Sequence, residues 1–170
     1  MIRLLGIVCL ACASSAVASA DPVKSEKPAD AKTLAKNCAT AWINAIHDGK
    51  GDDAVQLMAA PFRSPENKKL DTLNGFAAAF SHKQPKGVET KLTDVVAFDD
   101  FNEWLKKNEA RTLDEDTLKE YCEYLGPKDG QIVIVEMTVG GRKQKTIRPP
   151  HFLIRIKDGK AALVGINSGK

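Results

Sequence analysis

The sequence predicts a single α+β domain in which a long N-terminal helix packs against a curved antiparallel sheet. Two observations lead to this fold class. Apolar residues recur at helical spacing in the first part of the chain, at Cys38, Trp42 and Ile46. The last forty residues instead carry short apolar runs such as "QIVIVEMTV" and the hairpin dipeptide Asp158-Gly159, which are typical of strands and tight turns.

The first twenty residues have the order of a secretory signal peptide. One Arg at position 3, an uncharged apolar run and small residues before Ala20 predict cleavage after that residue. The apolar run is shorter than the roughly 20 residues that span a bilayer, so no transmembrane segment is expected. Acylation at Cys12 is the alternative, but the residues before it fit a lipobox poorly. We therefore expect export to the periplasm or the exterior without a lipid anchor.

After the leader, residues 21–31 are rich in Pro, Lys and Asp and predict a flexible tether. Residues 32–170 then have the length of one domain with a single core. Loss of Arg3 with the leader lowers the net charge from +3 to +2, and the lysines are dispersed among acids. So weak a positive charge argues neither for nor against a nucleic-acid partner, and none is expected.

The first helix should end within "HDGKG", where Gly49 or Gly51 can adopt the left-handed conformation that closes a helix. An Asp-x-x-Gln pair at Asp53 and apolar spacing up to Phe62 predict a second helix. This stretch is thus interpreted as a corner. A calcium loop or a phosphate-binding loop would need other residues at its ligand positions.

A third helix is predicted from Leu70 to Phe80, with Asp71 as its cap, because apolar residues recur there at steps of three and four. Alternation in "GVETKLTDVVAF" then predicts a strand over 87–98.

Two capping boxes, at Asp100 and Thr112, predict short helices that form a helical insertion at about 99–126. The remaining strands are predicted over 131–147, 151–157 and 161–166.

The order of elements and two stretches, "AWINAIHDGKGDDAVQLMAAPFR" and "HFLIRIKDGKAALVGI", resemble the nuclear transport factor 2-like superfamily. This superfamily includes ketosteroid isomerases and polyketide cyclases. The resemblance implies a cone-shaped domain whose curved sheet wraps around the first helix and leaves a pocket. The helical insertion departs from the family order and would cover or reshape the mouth of the cone.

The resemblance also implies which side chains line the pocket. Aromatic and apolar residues at such positions usually form a hydrophobic core. Only the cavity of the superfamily makes them candidates for pocket walls. They are Trp42, Phe62, Phe76, Phe80, Leu92, Val96 and Phe98.

Asp94 is the candidate general base, because alternation places it on the strand face of Leu92 and Val96, where an apolar environment would raise the pKa of its carboxyl. The alternative, which we favour, is a bulge or twist that lets Asp94 reach water or a backbone N–H.

His151 alternates with Phe152 and so should point away from the pocket as a surface residue. The three histidines are too scattered for a metal site, and neither a metal nor a cofactor is expected. The basic run from Arg142 to Arg148 is interpreted as a solvated hairpin tip.

Cys38 and Cys122 remain after removal of the leader. In an exported protein they could form a disulfide that ties the insertion to the first helix. Alternatively, each is a separate small hydrophobic residue.

Together these observations predict an exported, non-catalytic module that binds a small apolar ligand or a protein partner, with a homodimer through the sheet face as one mode of association. The alternative is an isomerase- or cyclase-like enzyme that uses Asp94 as its base.

Overall fold

The computed structural model describes residues 30–169 except residues 86, 127–128 and 144–145. The predicted signal peptide and nearly all of the predicted tether lie outside these residues. In chain order the elements are α1 (Ala31–Asp48), α2 (Gly51–Gln56), β1 (Met58–Arg63), β2 (Lys69–Leu70), α3 (Phe76–Phe80), β3 (Val88–Ala97), α4 (Phe101–Lys107), α5 (Glu115–Leu125), β4 (Gln131–Val139), β5 (Arg142–Lys143), β6 (His151–Lys157) and β7 (Lys160–Asn167).

Helix α1 has a defined cap at each end. The Asp30 carboxylate accepts a hydrogen bond from the Thr33 amide at 2.8 Å, which satisfies one of the free N–H groups of the first turn. Gly49 closes the helix with a φ of 70°, as the sequence predicts. Gly51 is needed for a different reason, because a side chain there would collide with the carbonyl of Ala77 on α3.

The predicted second helix is wrong in its second half. Helix α2 ends at Gln56, and the chain from Met58 to Arg63 is the strand β1. Pro61 explains the difference, because proline lacks an N–H and disrupts a helix interior. Met58 and Phe62 remain buried, but they are placed there by a strand that pairs in parallel with β7.

The predicted third helix is also too long. Only Phe76–Phe80 is helical, while Leu70 belongs to the short strand β2. Gly75 precedes the helix with a φ of 86°, a conformation that interrupts a right-handed helix. Apolar spacing alone therefore overestimated the helix.

The seven strands form one sheet in the order β2-β1-β7-β6-β4-β3, with β5 paired to the end of β4. Every pairing is antiparallel except that of β1 with β7. The predicted α+β class, a long N-terminal helix on a curved sheet rich in antiparallel pairs, is confirmed. Strands β1 and β2 were not predicted.

Helices cover both faces of this sheet. Alternate residues of β4 separate into two hydrophobic clusters, because successive side chains of a strand point to opposite faces. Val133 and Val135 pack with α1, whereas Ile132 and Ile134 pack with the residues of α4 and α5. The helical insertion thus forms a third layer on what we call the second face of the sheet.

In the part of the chain that the structure describes, no helix combines the length and the apolar character needed to cross a membrane.

Candidate functional site

Four of the predicted pocket residues pack against one another on the α1 side of the sheet. The ring centroids of Trp42 and Phe80 are 5.7 Å apart, and those of Phe62 and Phe76 are 5.6 Å apart. Phe76 also lies 5.4 Å from Phe80, and Phe152 of β6 lies 5.3 Å from Trp42. These edge-on and tilted contacts are those of a hydrophobic core.

The other predicted pocket residues do not share one face. The register of β3 against β4 shifts between Leu92 and Asp94, so the strand contains a bulge at Thr93. Leu92 packs in the cluster of α1, whereas Val96 and Phe98 pack with α4 and α5. The alternation predicted for this strand is therefore wrong beyond the bulge.

Asp94 lies in an exposed position and not in an apolar pocket. Its Oδ1 accepts a hydrogen bond from the Val95 amide at 2.8 Å, and its Oδ2 accepts one from the indole Nε1 of Trp104 at 2.7 Å. This arrangement matches the favoured alternative, in which a bulge lets Asp94 reach a backbone N–H. The carboxylate fixes the position of Trp104.

An open groove with a volume of about 810 Å³ lies on the second face beside Asp94. Its floor is formed by β3 and β4, one wall by the end of α4, and the other wall by the segment that leads into β6. The lining includes Thr93, Asp94, Ile134 and Glu136 of the floor, Trp104, Glu109 and Ala110 of the first wall, and Lys143, Ile147, Arg148 and Pro149 of the second.

Trp104 is the aromatic residue of the groove, and it is fixed from two sides. Asp94 binds its Nε1, and its ring stacks on Phe101 with a centroid distance of 6.2 Å and an interplanar angle of 24°. Phe101 is itself fully buried under the second face. The half-buried indole is therefore a pre-organised contact surface.

The wall at Glu109 has an unusual backbone. Glu109 closes α4 with a φ of 55°, where glycine is the usual residue. The amide of Ala110 donates to the carbonyl of Leu105 at 2.9 Å, and that of Glu109 donates to Lys106 at 3.2 Å. These two bonds form a Schellman motif that directs residue 109 to the groove.

The cations of the opposite wall are engaged within the protein. Arg148 donates from Nε to the carbonyl of Arg111 at 3.0 Å and from Nη2 to the carbonyl of Thr112 at 2.9 Å. Lys143 is paired with the carboxylate of Glu136. Arg148 thus ties this wall to the connection between α4 and α5.

A buried polar cluster lies beneath α5, where sequence reasoning expected a surface histidine. His151 is completely buried because the insertion covers the face to which it points. Its Nε2 lies 2.9 Å from the hydroxyl of Tyr121, and its Nδ1 lies 2.8 Å from the carbonyl of Pro149. Burial lowers the pKa of His151 to about 4.

Arg63 at the end of β1 adds a charge to this cluster. Its Nε donates to Glu120 of α5 at 2.8 Å, and its guanidinium lies 5.1 Å from the ring centroid of Tyr121. Arg63 is only 3% exposed. The ion pair and the cation–π contact hold α5 against the sheet. Because His151 is completely buried, a substrate cannot reach its ring.

Cys38 and Cys122 are both free cysteines in the structure, which therefore contains no bridge between them. Cys38 is buried against the sheet on α1, whereas Cys122 is exposed on α5. The two helices lie on opposite faces of the sheet, which prevents their cysteines from meeting. Only Cys38 is the small buried residue of the alternative interpretation.

The described residues contain no group of three or more His, Cys, Asp or Glu side chains that could hold a metal ion.

The groove itself was not predicted from the sequence. A tryptophan on the short polar helix "FNEWLKK" could have indicated a binding surface, because it comes ten residues after Asp94. No role beyond the helical insertion is predicted for this residue from the sequence. The sequence favoured a bulge or twist at Asp94, but it did not indicate that a groove lies beside this residue.

No protein-family model matches the sequence, and no curated protein matches it. Solved structures of similar fold include a chain named Rd1NTF2_05, with 12% identity, a TM-score of 0.49, and coverage of 81% of this chain and 98% of that one. An NTF2-like protein of unknown function from Shewanella baltica OS155 has 7% identity, a TM-score of 0.46, and coverage of 79% and 89%. A chain named as a candidate ketosteroid isomerase from Kribbella flavida has 9% identity, a TM-score of 0.45, and coverage of 81% and 78%.

The fold and the groove define an α+β domain with an open groove on the helix-covered second face. Membership of the nuclear transport factor 2-like superfamily stays a prediction from the sequence, because the TM-scores of these structures lie below 0.5. Sequence identities this low give no information about the ligand or the activity of this protein.

Proposed function

We propose that this protein is a non-catalytic binding module that takes a small organic molecule in the groove beside Trp104. The observation that carries the proposal is a fixed, half-buried indole in a groove of about 810 Å³. Ligand sites commonly have volumes of about 300–1,000 Å³ and combine apolar walls with a few oriented polar groups. Ile147 and Pro149 supply further apolar surface.

The alternative is an isomerase- or cyclase-like enzyme with Asp94 as its base. It has less support, because both oxygens of Asp94 already accept hydrogen bonds and the side chain is exposed to water. The enzyme hypothesis also requires an apolar environment around this carboxylate, and the exposed Asp94 lacks one. The position of Asp94 suits a residue that orients Trp104.

Native mass spectrometry of freshly purified protein tests the binding function, since a bound small molecule adds a defined mass. We expect Trp104→Ala to lose this molecule. Phe80→Ala, which truncates an aromatic residue on the opposite face, is the matched control and should retain it. Loss in Phe80→Ala with retention in Trp104→Ala would return the ligand to the α1 side and contradict the proposal.

Export belongs to the same proposal and is supported by the leader sequence before Asp21. The intact mass of the protein recovered from the periplasm or the medium should correspond to a chain that begins at Asp21.

A homodimer through the sheet face also remains a proposal. Helices α4 and α5 cover part of that face. Light scattering during size-exclusion chromatography would give the molar mass and so distinguish a monomer from a dimer.

A further inference from the structure

The charges that line the groove do not cancel. Three carboxylates, those of Asp94, Glu109 and Glu136, accompany two cations, Lys143 and Arg148, so the described lining has a net charge of −1. A shallow hollow that also contains Trp104 shares Asp94 and adds Asp100, Glu103, Lys32 and Lys107, whose charges cancel. The net charge of the described residues around the indole therefore stays at −1.

The hydrogen-bond partners sharpen this imbalance. Lys143 is neutralised by Glu136, and Arg148 directs two of its nitrogens to backbone carbonyls. Asp94 receives hydrogen bonds only from neutral donors, and Glu109 has no ion-pair partner among the described residues. Apart from the Lys143–Glu136 pair, the described lining keeps two carboxylates, Asp94 and Glu109, against the one guanidinium of Arg148, and this excess of negative charge disfavours an anion.

Trp104 adds a preference of the same sign. The face of an indole ring is electron-rich and attracts cations, and the interaction strengthens when the site excludes water. Asp94 fixes this ring by its hydrogen bond to Nε1. A ligand on the ring would therefore meet both an aromatic surface and a negative potential.

We propose that the groove binds an organic cation, an ammonium or guanidinium compound, held by the indole of Trp104 and the carboxylate of Glu109. This inference rests on the proposed binding function and gives the chemical class of its ligand. The negative charge and the aromatic ring set the selectivity, and the apolar surface of Ile147 and Pro149 accommodates the rest of the molecule.

Choline and its neutral isostere 3,3-dimethylbutan-1-ol are the probes for this inference. In a titration followed by NMR, the indole N–H of Trp104 reports on the groove, and that of the buried Trp42 is the internal control. We expect choline to shift the Trp104 signal saturably, with roughly tenfold tighter binding than the neutral isostere. Glu109→Gln should weaken choline binding by roughly two- to fivefold, the effect of one exposed ion pair, and leave the isostere unaffected.

Asp71→Asn is the matched control, because it removes an exposed carboxylate outside the groove, and it should change neither affinity. Equal binding of the two probes would overturn the cation inference while the binding function stands. An unchanged choline affinity in Glu109→Gln, or no saturable shift with either probe, would also overturn it. A co-purifying molecule that is retained in Trp104→Ala would instead contradict the proposed function itself.

Discussion

The hydroxyl of Tyr121 donates its proton to Nε2 of His151 across 2.9 Å. Three neighbouring bonds fix this direction. The Gly169 amide binds Oδ1 of Asn167, so the amide group of Asn167 must donate to the Tyr121 oxygen. The hydroxyl proton then points to Nε2, and the Nδ1–H of His151 donates to the Pro149 carbonyl. This direction holds for a neutral imidazole. Burial favours the neutral state by lowering the pKa of His151, and the Pro149 carbonyl selects the tautomer with its proton on Nδ1.

The neutral state of His151 predicts acid sensitivity. Burial lowers its pKa from the ordinary 6.5 to about 4, so between these values the unfolded chain binds a proton that the native protein does not. Stability should therefore fall as the pH is lowered from 6.5 towards 4, by up to roughly 3 kcal/mol. Urea unfolding at several pH values measures this slope.

His151→Gln should remove that part of the pH dependence, although it will lower stability at neutral pH. His82→Gln, at an exposed position, is the control and should retain the wild-type slope. An unchanged slope in His151→Gln would show that other groups control the acid response.

Removal of the Tyr121 hydroxyl should destabilise the protein at neutral pH. Tyr121→Phe leaves a buried acceptor on His151 and a buried donor on Asn167 without partners, and we expect a loss of about 1–3 kcal/mol. Tyr124→Phe is the matched control on the same helix, because its hydroxyl has no hydrogen-bond partner among the described residues. Equal effects of the two variants in denaturant unfolding would refute a special role for the cluster.

Glu109→Gly should stabilise the protein. The left-handed conformation at Glu109 disfavours a side chain by roughly 1–2 kcal/mol, part of which is offset by the greater freedom of glycine in the unfolded chain. We expect a gain of about 0.5–1 kcal/mol in the free energy of unfolding. Glu109→Ala keeps the strained backbone and should show no such gain, so stabilisation by alanine would argue against backbone strain.

The two cysteines should differ sharply in reactivity. Cys122 is exposed, whereas burial raises the pKa of the Cys38 thiol to about 11. A thiol reagent should therefore modify one cysteine in the native mature protein and both after unfolding without reductant. Finding no free thiol in the unfolded, unreduced protein would contradict the free state of both residues.

Gly51→Ala should be strongly destabilising. The added carbon would overlap the carbonyl oxygen of Ala77, which belongs to the backbone of α3 and cannot move alone. We expect a loss of about 1–3 kcal/mol, as for other overpacked sites. Gly159→Ala is a useful comparison, because it meets no neighbour and introduces only backbone strain. A smaller loss in Gly51→Ala than in Gly159→Ala would weigh against the close packing of α2 on α3.

Local signals were sufficient to predict α1, its end at Gly49 and the hairpin of β6 and β7, because these depend on spacing and turn residues within a few positions. The other elements depend on contacts between segments that are distant in the sequence. Phe62 is apolar enough for either a helix or a strand, and the pairing of β1 with the distant strand β7 cannot be read locally.

The candidate site was less predictable for the same reason. The face to which His151 points was inferred correctly, but nothing in "HFLIRI" indicates that α5 covers it. For Asp94, one inserted residue at Thr93 reversed the side of the sheet on which its neighbours lie. A carboxylate on an otherwise apolar strand face indicated an irregularity at this place, but neither its exact position nor its effect on the side of Leu92 could be predicted.

The bulge in β3 also affects the tendency of the protein to associate through the edge of its sheet. β3 is an outer strand of the sheet, and an outer strand with free backbone groups can recruit another chain by edge pairing. This strand carries the exposed charges of Glu89 and Lys91 in addition to its irregular register. A second molecule that tried to extend the sheet here would meet charge and mismatched backbone spacing, so the edge beside the groove is protected against aggregation.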